Sequence, residues 1–282
     1  MEKIKLLCNA KINLTLDITS KREDGYHNID SIMQSVLVAD ELTVQKSTQI
    51  SVDCSKKEFS GEKNIAFKAA KSFFDFTAII GGADIYIEKH IPDAAGMGGG
   101  SADAAGVLIA LDKIYETNLS NEQLCTIAKS VGADVPFCLF GGTKRVKGIG
   151  ETVLDCPSFN CEALLIIKKG NKLSTADMYR RLDEIGARNP NTENFVKVLK
   201  QGTIEQIASN LSNDFEAVCD VKYEKELLLQ NGAVGVCLTG SGPSVYGIFK
   251  SVEDAKLAKE KIKDQCIFAQ IATLTPQSIK TL

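Results

Sequence analysis

A chain of 282 residues, 44% hydrophobic and 24% charged, is long enough for one large domain or two ordinary ones and can bury a sizeable core, which excludes disorder as its dominant state. Its 33 basic and 36 acidic side chains leave a formal charge of −3. That balance excludes a protein that lives on a nucleic-acid backbone or an anionic membrane surface, so any basic site must be local.

Residues 4–18 alternate in character and predict a strand, and residues 29–44 carry two more strand-like stretches. The N-terminal stretch turns polar at Asn9 before a signal-like apolar segment is complete, and the longest nearly apolar run, residues 104–111, is far short of the roughly 20 needed to cross a bilayer. A cytoplasmic protein is expected. Residues 64–76 set Ile65, Ala69, Phe73 and Phe76 at helical spacing, and the turn signal Gly81-Gly82 leads into a strand over 83–89. A glycine-rich segment then opens a helix over 101–115. The next helix starts at Ser120, at capping-box spacing from Gln123, and ends at Gly132.

Residues 137–154 return to a strand pattern, and the change of character around Cys156-Pro157-Ser158 sets a boundary between domains 1–158 and 159–282. The second part predicts a strand over 163–168, helices near 176–185, 193–199, 204–211 and 215–228, strands at 234–239 and 245–249, a helix at 252–263 and a last strand near 267–273. Strands and helices without a regular βα repeat give an α+β fold. The nine cysteines are scattered with no CxxC, which fits buried free thiols, and two histidines 63 positions apart support zinc poorly.

The chemistry concentrates in Ile91-Pro-Asp-Ala-Ala-Gly-Met-Gly-Gly-Gly-Ser-Ala-Asp-Ala-Ala105. Glycines Gly96, Gly98, Gly99 and Gly100 before a helix start let backbone N–H groups converge, and the helix dipole favours a polyanion such as a triphosphate. The alternative is a tightly packed turn. No GK[ST] ends the segment and its spacing is not GxGxxG, so it is neither a Walker A loop nor a dinucleotide fingerprint.

The pattern PxAAGMGGGSADAA resembles the phosphate-binding motif of the GHMP kinases. Three further stretches agree in order: Asn9-Ala-Lys-Ile-Asn-Leu14 with Arg22-Glu-Asp-Gly-Tyr-His27, then Gly132-Ala-Asp-Val-Pro-Phe137, then Leu238-Thr-Gly-Ser-Gly-Pro-Ser-Val-Tyr-Gly247. The resemblance implies a two-domain GHMP kinase fold, with an N-terminal nucleotide-binding domain like ribosomal protein S5 domain 2 and a ferredoxin-like C-terminal domain. It further implies use of ATP and Mg²⁺, with metal ligands unassigned. The N-terminal signature is similar to that of the isoprenoid-pathway branch, whose small-molecule alcohol carries a cytidine diphosphate group. Another GHMP small-molecule kinase, of homoserine or mevalonate type, or a non-catalytic nucleotide-binding regulator are the alternatives. No nucleic-acid or membrane partner is expected, and the chain is expected to be a monomer or weak homodimer.

Carried onto this sequence, the resemblance makes Asp134 the general base and Lys11 its partner. From the residues alone, Asp134 could equally cap a turn before Pro136, and Lys11 reads as an outward-facing strand lysine. ATP is expected at Asn64, Pro92, Ala94, Ala95, Gly96, Met97, Gly98, Gly99, Gly100, Ser101 and Ala102, although Asn64 and Ser101 also suit plain helix caps. Tyr26 and Tyr179 are expected to sandwich the cytosine and His27, through side chain or backbone, to read its edge, Tyr179 lying in the family-like segment from Leu173; a turn glycine followed by a core tyrosine is the alternative for Tyr26, and packing of the helix it begins is the alternative for Tyr179. Gly240, Ser241 and Gly242 are expected near the substrate or its phosphates, with a hairpin bend as the alternative. Asp93, Met97 and Ala102 depart from the family pattern, and the negative charge of Asp93 beside an anion site has no explanation in the sequence.

Overall fold

The computed structural model describes residues 2–170, 174–186 and 189–282. The chain opens with two long antiparallel strands, β1 (Lys3–Lys21) and β2 (His27–Ser47), followed by β3 (Ile50–Cys54), α1 (Ile65–Thr77), β4 (Gly82–Glu88), α2 (Gly99–Tyr115), α3 (Asn121–Val131) and α4 (Val135–Phe140). Next come β5 (Thr143–Gly148), β6 (Thr152–Asp155), β7 (Ala163–Lys168), α5 (Thr175–Ile185), α6 (Thr192–Gln201), α7 (Ile204–Ser209) and β8 (Ser212–Asn213). The chain closes with α8 (Lys222–Gln230), β9 (Gly235–Leu238), β10 (Val245–Phe249), α9 (Val252–Ile262), β11 (Phe268–Ala272) and β12 (Ile279–Thr281).

One sheet runs β12-β1-β2-β4-β3, with β5 and β6 continuing from β2 and β8 against β1; a second runs β11-β7-β10-β9. The strands β8 and β12 from late in the chain therefore return to the first sheet. This is the α+β layering expected of a chain without a βα repeat. No helix among the described residues is long and apolar enough to cross a membrane.

Three stretches depart from the sequence reading, and three strands are additional to it. The stretch from Phe137 begins as helix α4, because Pro136 sits in its first turn and the short apolar run VPFCLF carries no period to separate strand from helix. Residues 29–44 lie within one continuous strand rather than two, and 215–228 divides into a tight turn at Asp214–Ala217 and α8. Strands β3, β8 and β12 were not expected; two of them are only two or three residues long and exist through their pairing.

The path of β1 sets the site. Its register to β2 shifts between Asn9 and Ala10 and again between Asn13 and Thr15. Leu6, Cys8, Leu16 and Ile18 pack in the cluster of α1 and α2, with Phe73, Leu108 and Leu111, whereas Ala10, Ile12 and Leu14 pack in the other, with Leu164, Ile166, Tyr246 and Ile248 of the second sheet. Side chains alternate along a strand, so each irregularity changes which parity faces which side. Between the two, Lys11 and Asn13 take the face that Cys8 and Leu16 hold outside.

Helix α2 is buried around most of its circumference, and its small residues let it lie close on the sheet. A Cβ at Gly106 would come within 2.5 Å of Cys8 Sγ. Beneath the helix start, Asp40 of β2 accepts from Lys89 Nζ and from the N–H groups of His90 (2.6 Å) and Ile91 (2.8 Å), and Lys89 also donates to Asp103 Oδ2 at 2.8 Å. All three side chains are buried. This triad ties the sheet, the segment entering the glycine loop and the second turn of α2. Burial pushes the Asp103 carboxyl up to about 7 against the opposing pull of Lys89.

Removing Lys89 strands two buried carboxylates, so Lys89→Met should cost about 3–5 kcal/mol in urea unfolding. Lys71→Ala, which breaks the exposed pair to Asp75, should cost no more than about 0.5 kcal/mol; equal losses would contradict the triad's role. Because the Asp103 carboxyl is raised in the fold, its protonation favours the folded state below about pH 4, and that contribution is lost as pH rises through about 7. The urea midpoint of Asp103→Asn should accordingly fall less than that of wild type across this window.

Candidate active site

Lys11 has only 4% of its side chain exposed. A buried ammonium needs partners, and Lys11 Nζ finds Asp134 Oδ2 at 3.3 Å and Asn13 Oδ1 at 2.8 Å. Asp134 immediately precedes α4, yet its carboxylate makes no capping bond. Lys11 is its one polar partner among the described residues, and with 27% of the side chain exposed it lines the cavity. The turn-capping alternative for Asp134 is thus not what the side chain does.

Asn13 joins this pair to the second sheet. Its Oδ1 also accepts from the Gly240 N–H at 2.9 Å, its Nδ2 donates to Ser31 Oγ at 2.8 Å, its backbone N–H donates to Thr239 Oγ1 at 3.3 Å, and its carbonyl accepts from Tyr246 OH at 2.9 Å. The two glycine loops meet here backbone to backbone. Gly96 and Gly240 both have positive φ, and a Cβ would fall 2.1 Å from Thr239 O at the first and 2.7 Å from Gly96 O at the second. Their need for glycine is met inside the protein.

The rest of the glycine loop is open. Gly98 is left-handed at φ +70°, and a Cβ there would press on Lys11 Cγ at 3.0 Å. The Lys11 N–H donates to Met97 O at 2.9 Å, and the Ala102 N–H donates to Gly98 O at 2.9 Å. The N–H groups of Gly99, Gly100 and Ser101 therefore precede the first helical bond and stand at the positive end of a 17-residue helix. Such donors beside a buried lysine fit a polyphosphate. Asp93, unexplained in the sequence, is neutralised by Lys56, and its carbonyl accepts from Lys168 Nζ at 2.6 Å. Asn64 caps α1, accepting from the Ala66 N–H at 2.8 Å and donating to Phe59 O at 2.7 Å. Among the described residues no group of three or more His, Cys, Asp or Glu is placed to hold a metal ion.

The far end of the cavity is aromatic. The His27 ring stacks on Tyr179 at 4.5 Å and 13°, and Phe215 meets Tyr179 edge-on at 4.9 Å. His27 Nε2 lies 2.9 Å from Asp183 Oδ1, and Asp183 Oδ2 accepts from Lys21 Nζ at 2.9 Å. Although burial works the other way, bonds from Lys21 and His27 hold the Asp183 carboxyl down at about 2. Burial pushes the Tyr179 phenol up to about 12. Tyr26 is 62% exposed on the rim. Tyr179 thus meets the rings of His27 and Phe215, and among the described residues no ring contact joins it to Tyr26; Leu173 lies outside the described residues.

One cavity of about 1460 Å³ joins these parts, more than the ~300–1,000 Å³ that a single small ligand usually takes. Lys11, Asp134, Asn64, Pro92, Ala94, Ala95, Gly96 to Ser101, Tyr26, His27, Tyr179, Gly240 and Ser241 all line it. Ala102 and Gly242 do not: Ala102 faces the core with its N–H already bonded, and the Gly242 N–H turns back to Thr239 O. Sequence reasoning missed Asn13, two positions from Lys11, and Asp183, four positions after Tyr179. Strand and helix spacing, respectively, place each beside the residue that was found.

Comparison with known proteins gives the family. The sequence model described as GHMP kinases N terminal domain matches residues 64–142, and that described as GHMP kinases C terminal matches residues 195–267. The chain is 40% identical to the 4-diphosphocytidyl-2-C-methyl-D-erythritol kinase of Caldanaerobacter subterraneus subsp. tengcongensis, covering 99% of this chain and 100% of that protein. It is 42% identical to the same-named kinase of Acetivibrio thermocellus, covering 96% and 99%. A solved 4-(cytidine 5'-diphospho)-2C-methyl-D-erythritol kinase matches with a TM-score of 0.80 at 28% identity, covering 96% of this chain and 98% of that one. The homoserine kinase of Cytophaga hutchinsonii, at 18% identity and a TM-score of 0.77 over 100% and 98% of the two chains, shares the fold. With near-full-length identity of this order and both domain models in place, the chain belongs to the GHMP kinases, in the family of the 4-diphosphocytidyl-2-C-methyl-D-erythritol kinases.

Proposed function

We propose that this kinase transfers the γ-phosphoryl group of ATP directly to the 2-hydroxyl of 4-diphosphocytidyl-2-C-methyl-D-erythritol. The observation that carries the reading is the buried Lys11–Asp134 pair at 3.3 Å, beside Gly98 and the open N–H groups of α2. Phosphoryl transfer needs a positioned alcohol, an acceptor for its proton and donors for the charge on the transferring group. Asp134 Oδ takes the hydroxyl proton as the new O–P bond forms and the bond between the β- and γ-phosphates breaks, and ADP leaves. Lys11 orients that carboxylate and supplies positive charge next to the reacting oxygens. The N–H groups of Gly99, Gly100 and Ser101 cradle the phosphates. A Mg²⁺ ion accompanying ATP would be held chiefly by the phosphates themselves, since the protein offers no cluster of metal ligands among its described residues.

The aromatic end of the cavity takes the cytosine, with Tyr26 and Tyr179 offering faces and His27 its edge. Gly240 and Ser241 border the span between the two ends.

ADP release should be substantial with 4-diphosphocytidyl-2-C-methyl-D-erythritol and far slower with its uncytidylated precursor, 2-C-methyl-D-erythritol 4-phosphate; equal rates would remove the cytidine site. Asp134→Ala should fold normally by circular dichroism yet lose about 10²–10⁴ in kcat. Turnover close to wild type, where chemistry limits the rate, would remove Asp134 as the base.

A further inference from the structure

We infer that Asp183 is a positioning residue for base selection: it fixes His27 with the proton on Nε2, so that Nδ1 presents a lone pair to the exocyclic amino group of a 4-aminopyrimidine and turns away the 4-oxo counterpart. The inference rests on the cytidine reading of the aromatic end of the cavity.

An ionised carboxylate can only accept hydrogen bonds. Both oxygens of Asp183 lie within reach of His27 Nε2, at 2.9 and 3.1 Å, so Nε2 is the donor. Lys21 Nζ donates to the same carboxylate at 2.9 Å and keeps it in its accepting form. In a neutral imidazole whose Nε2 carries the proton, Nδ1 is an acceptor. Nδ1 has no hydrogen-bond partner among the described residues, and it is not sealed away: the buried side-chain N and O atoms without a partner are Asp17 Oδ1, Asp103 Oδ1 and Ser244 Oγ. His27 lines the cavity, so its free acceptor is available to a ligand.

Tyr179 completes the device. It holds the imidazole plane by stacking at 4.5 Å and 13°, and a hydrogen bond to an imidazole nitrogen lies in the plane of the ring. A base bonded to Nδ1 therefore meets the imidazole at its edge, with the donor atom in the plane that Tyr179 fixes. Tyr179 and Asp183 are four residues apart on α5, one face of one helix, so a single element sets both the plane and the protonation pattern of the reader. An amino group donates into the Nδ1 lone pair, whereas a carbonyl oxygen in its place sets two acceptors against each other.

The chain has two histidines, so long-range ¹H–¹⁵N spectra of the full-length protein at pH 8, with His27→Gln to assign the signals, report the His27 tautomer directly. Wild type should show a protonated Nε2 and an unprotonated Nδ1; a protonated Nδ1 would overturn the inference. In Asp183→Asn the side-chain amide can donate to Nε2, and the spectrum should move towards the Nδ1-protonated form. The kcat/KM ratio for the cytidine substrate over its uridine analogue should fall at least ~10-fold in that variant, the size of one lost hydrogen bond, with the loss carried by KM, and Asp183→Glu should recover much of it. An unchanged ratio in folded Asp183→Asn would overturn the inference, and if that variant does not fold, the wild-type spectrum decides. A wild type inactive on the cytidine substrate removes the functional reading first, a result separate from a wrong tautomer in an active enzyme.

Discussion

Everything at the site depends on how β1 turns over a short stretch of itself. Were its alternation unbroken, Lys11 and Asn13 would share the side of Leu164 and Tyr246 and the ammonium would lie in an apolar cluster. The two register shifts instead aim Lys11 at the glycine loop and α4. Once there, a buried cation has to be met by acceptors, which fixes the relation of β1 to Asp134. Asn13 satisfies Lys11 with one lone pair of its carbonyl oxygen and the Gly240 N–H with the other, so the demand of one charge also sets where the second sheet rests on the first.

The proposed cradle for phosphate follows from the same economy of charge. A chain with a net charge of −3 would face polyanions through backbone donors, a helix start and one buried lysine rather than through a basic surface. The glycines divide their work. Gly96 and Gly240 let two loops touch, while Gly98 makes room for Lys11 and Gly99 and Gly100 begin the open row of N–H groups. Below them the Asp40–Lys89–Asp103 triad holds the loop entrance to the helix, and Lys56 cancels the charge of Asp93 at the rim.

Much of this was legible in the sequence. The capping box of α3 forms as its spacing requires, β7 and β10 occupy the residues expected of them, and the glycine run opens α2 at the cavity. What was not legible has physical causes. Lys11 reads as solvated because strand parity is counted without irregularities, and no residue type announces a register shift. Asp93 looked out of place because Lys56 and Lys168 reach it from distant segments. The stack of His27 on Tyr179 was not legible either, because Asp183, which anchors the imidazole from the same helix as Tyr179, lies far from His27 in the chain.

The most direct test is a crystal structure of the enzyme with a non-hydrolysable ATP analogue and the diphosphocytidyl alcohol bound together. The account predicts the acceptor hydroxyl within about 3.2 Å of the Asp134 carboxylate, in line with the γ-phosphorus, with the phosphates on the N–H groups of Gly99 to Ser101. A hydroxyl held by another base, or phosphates seated away from the start of α2, would contradict it.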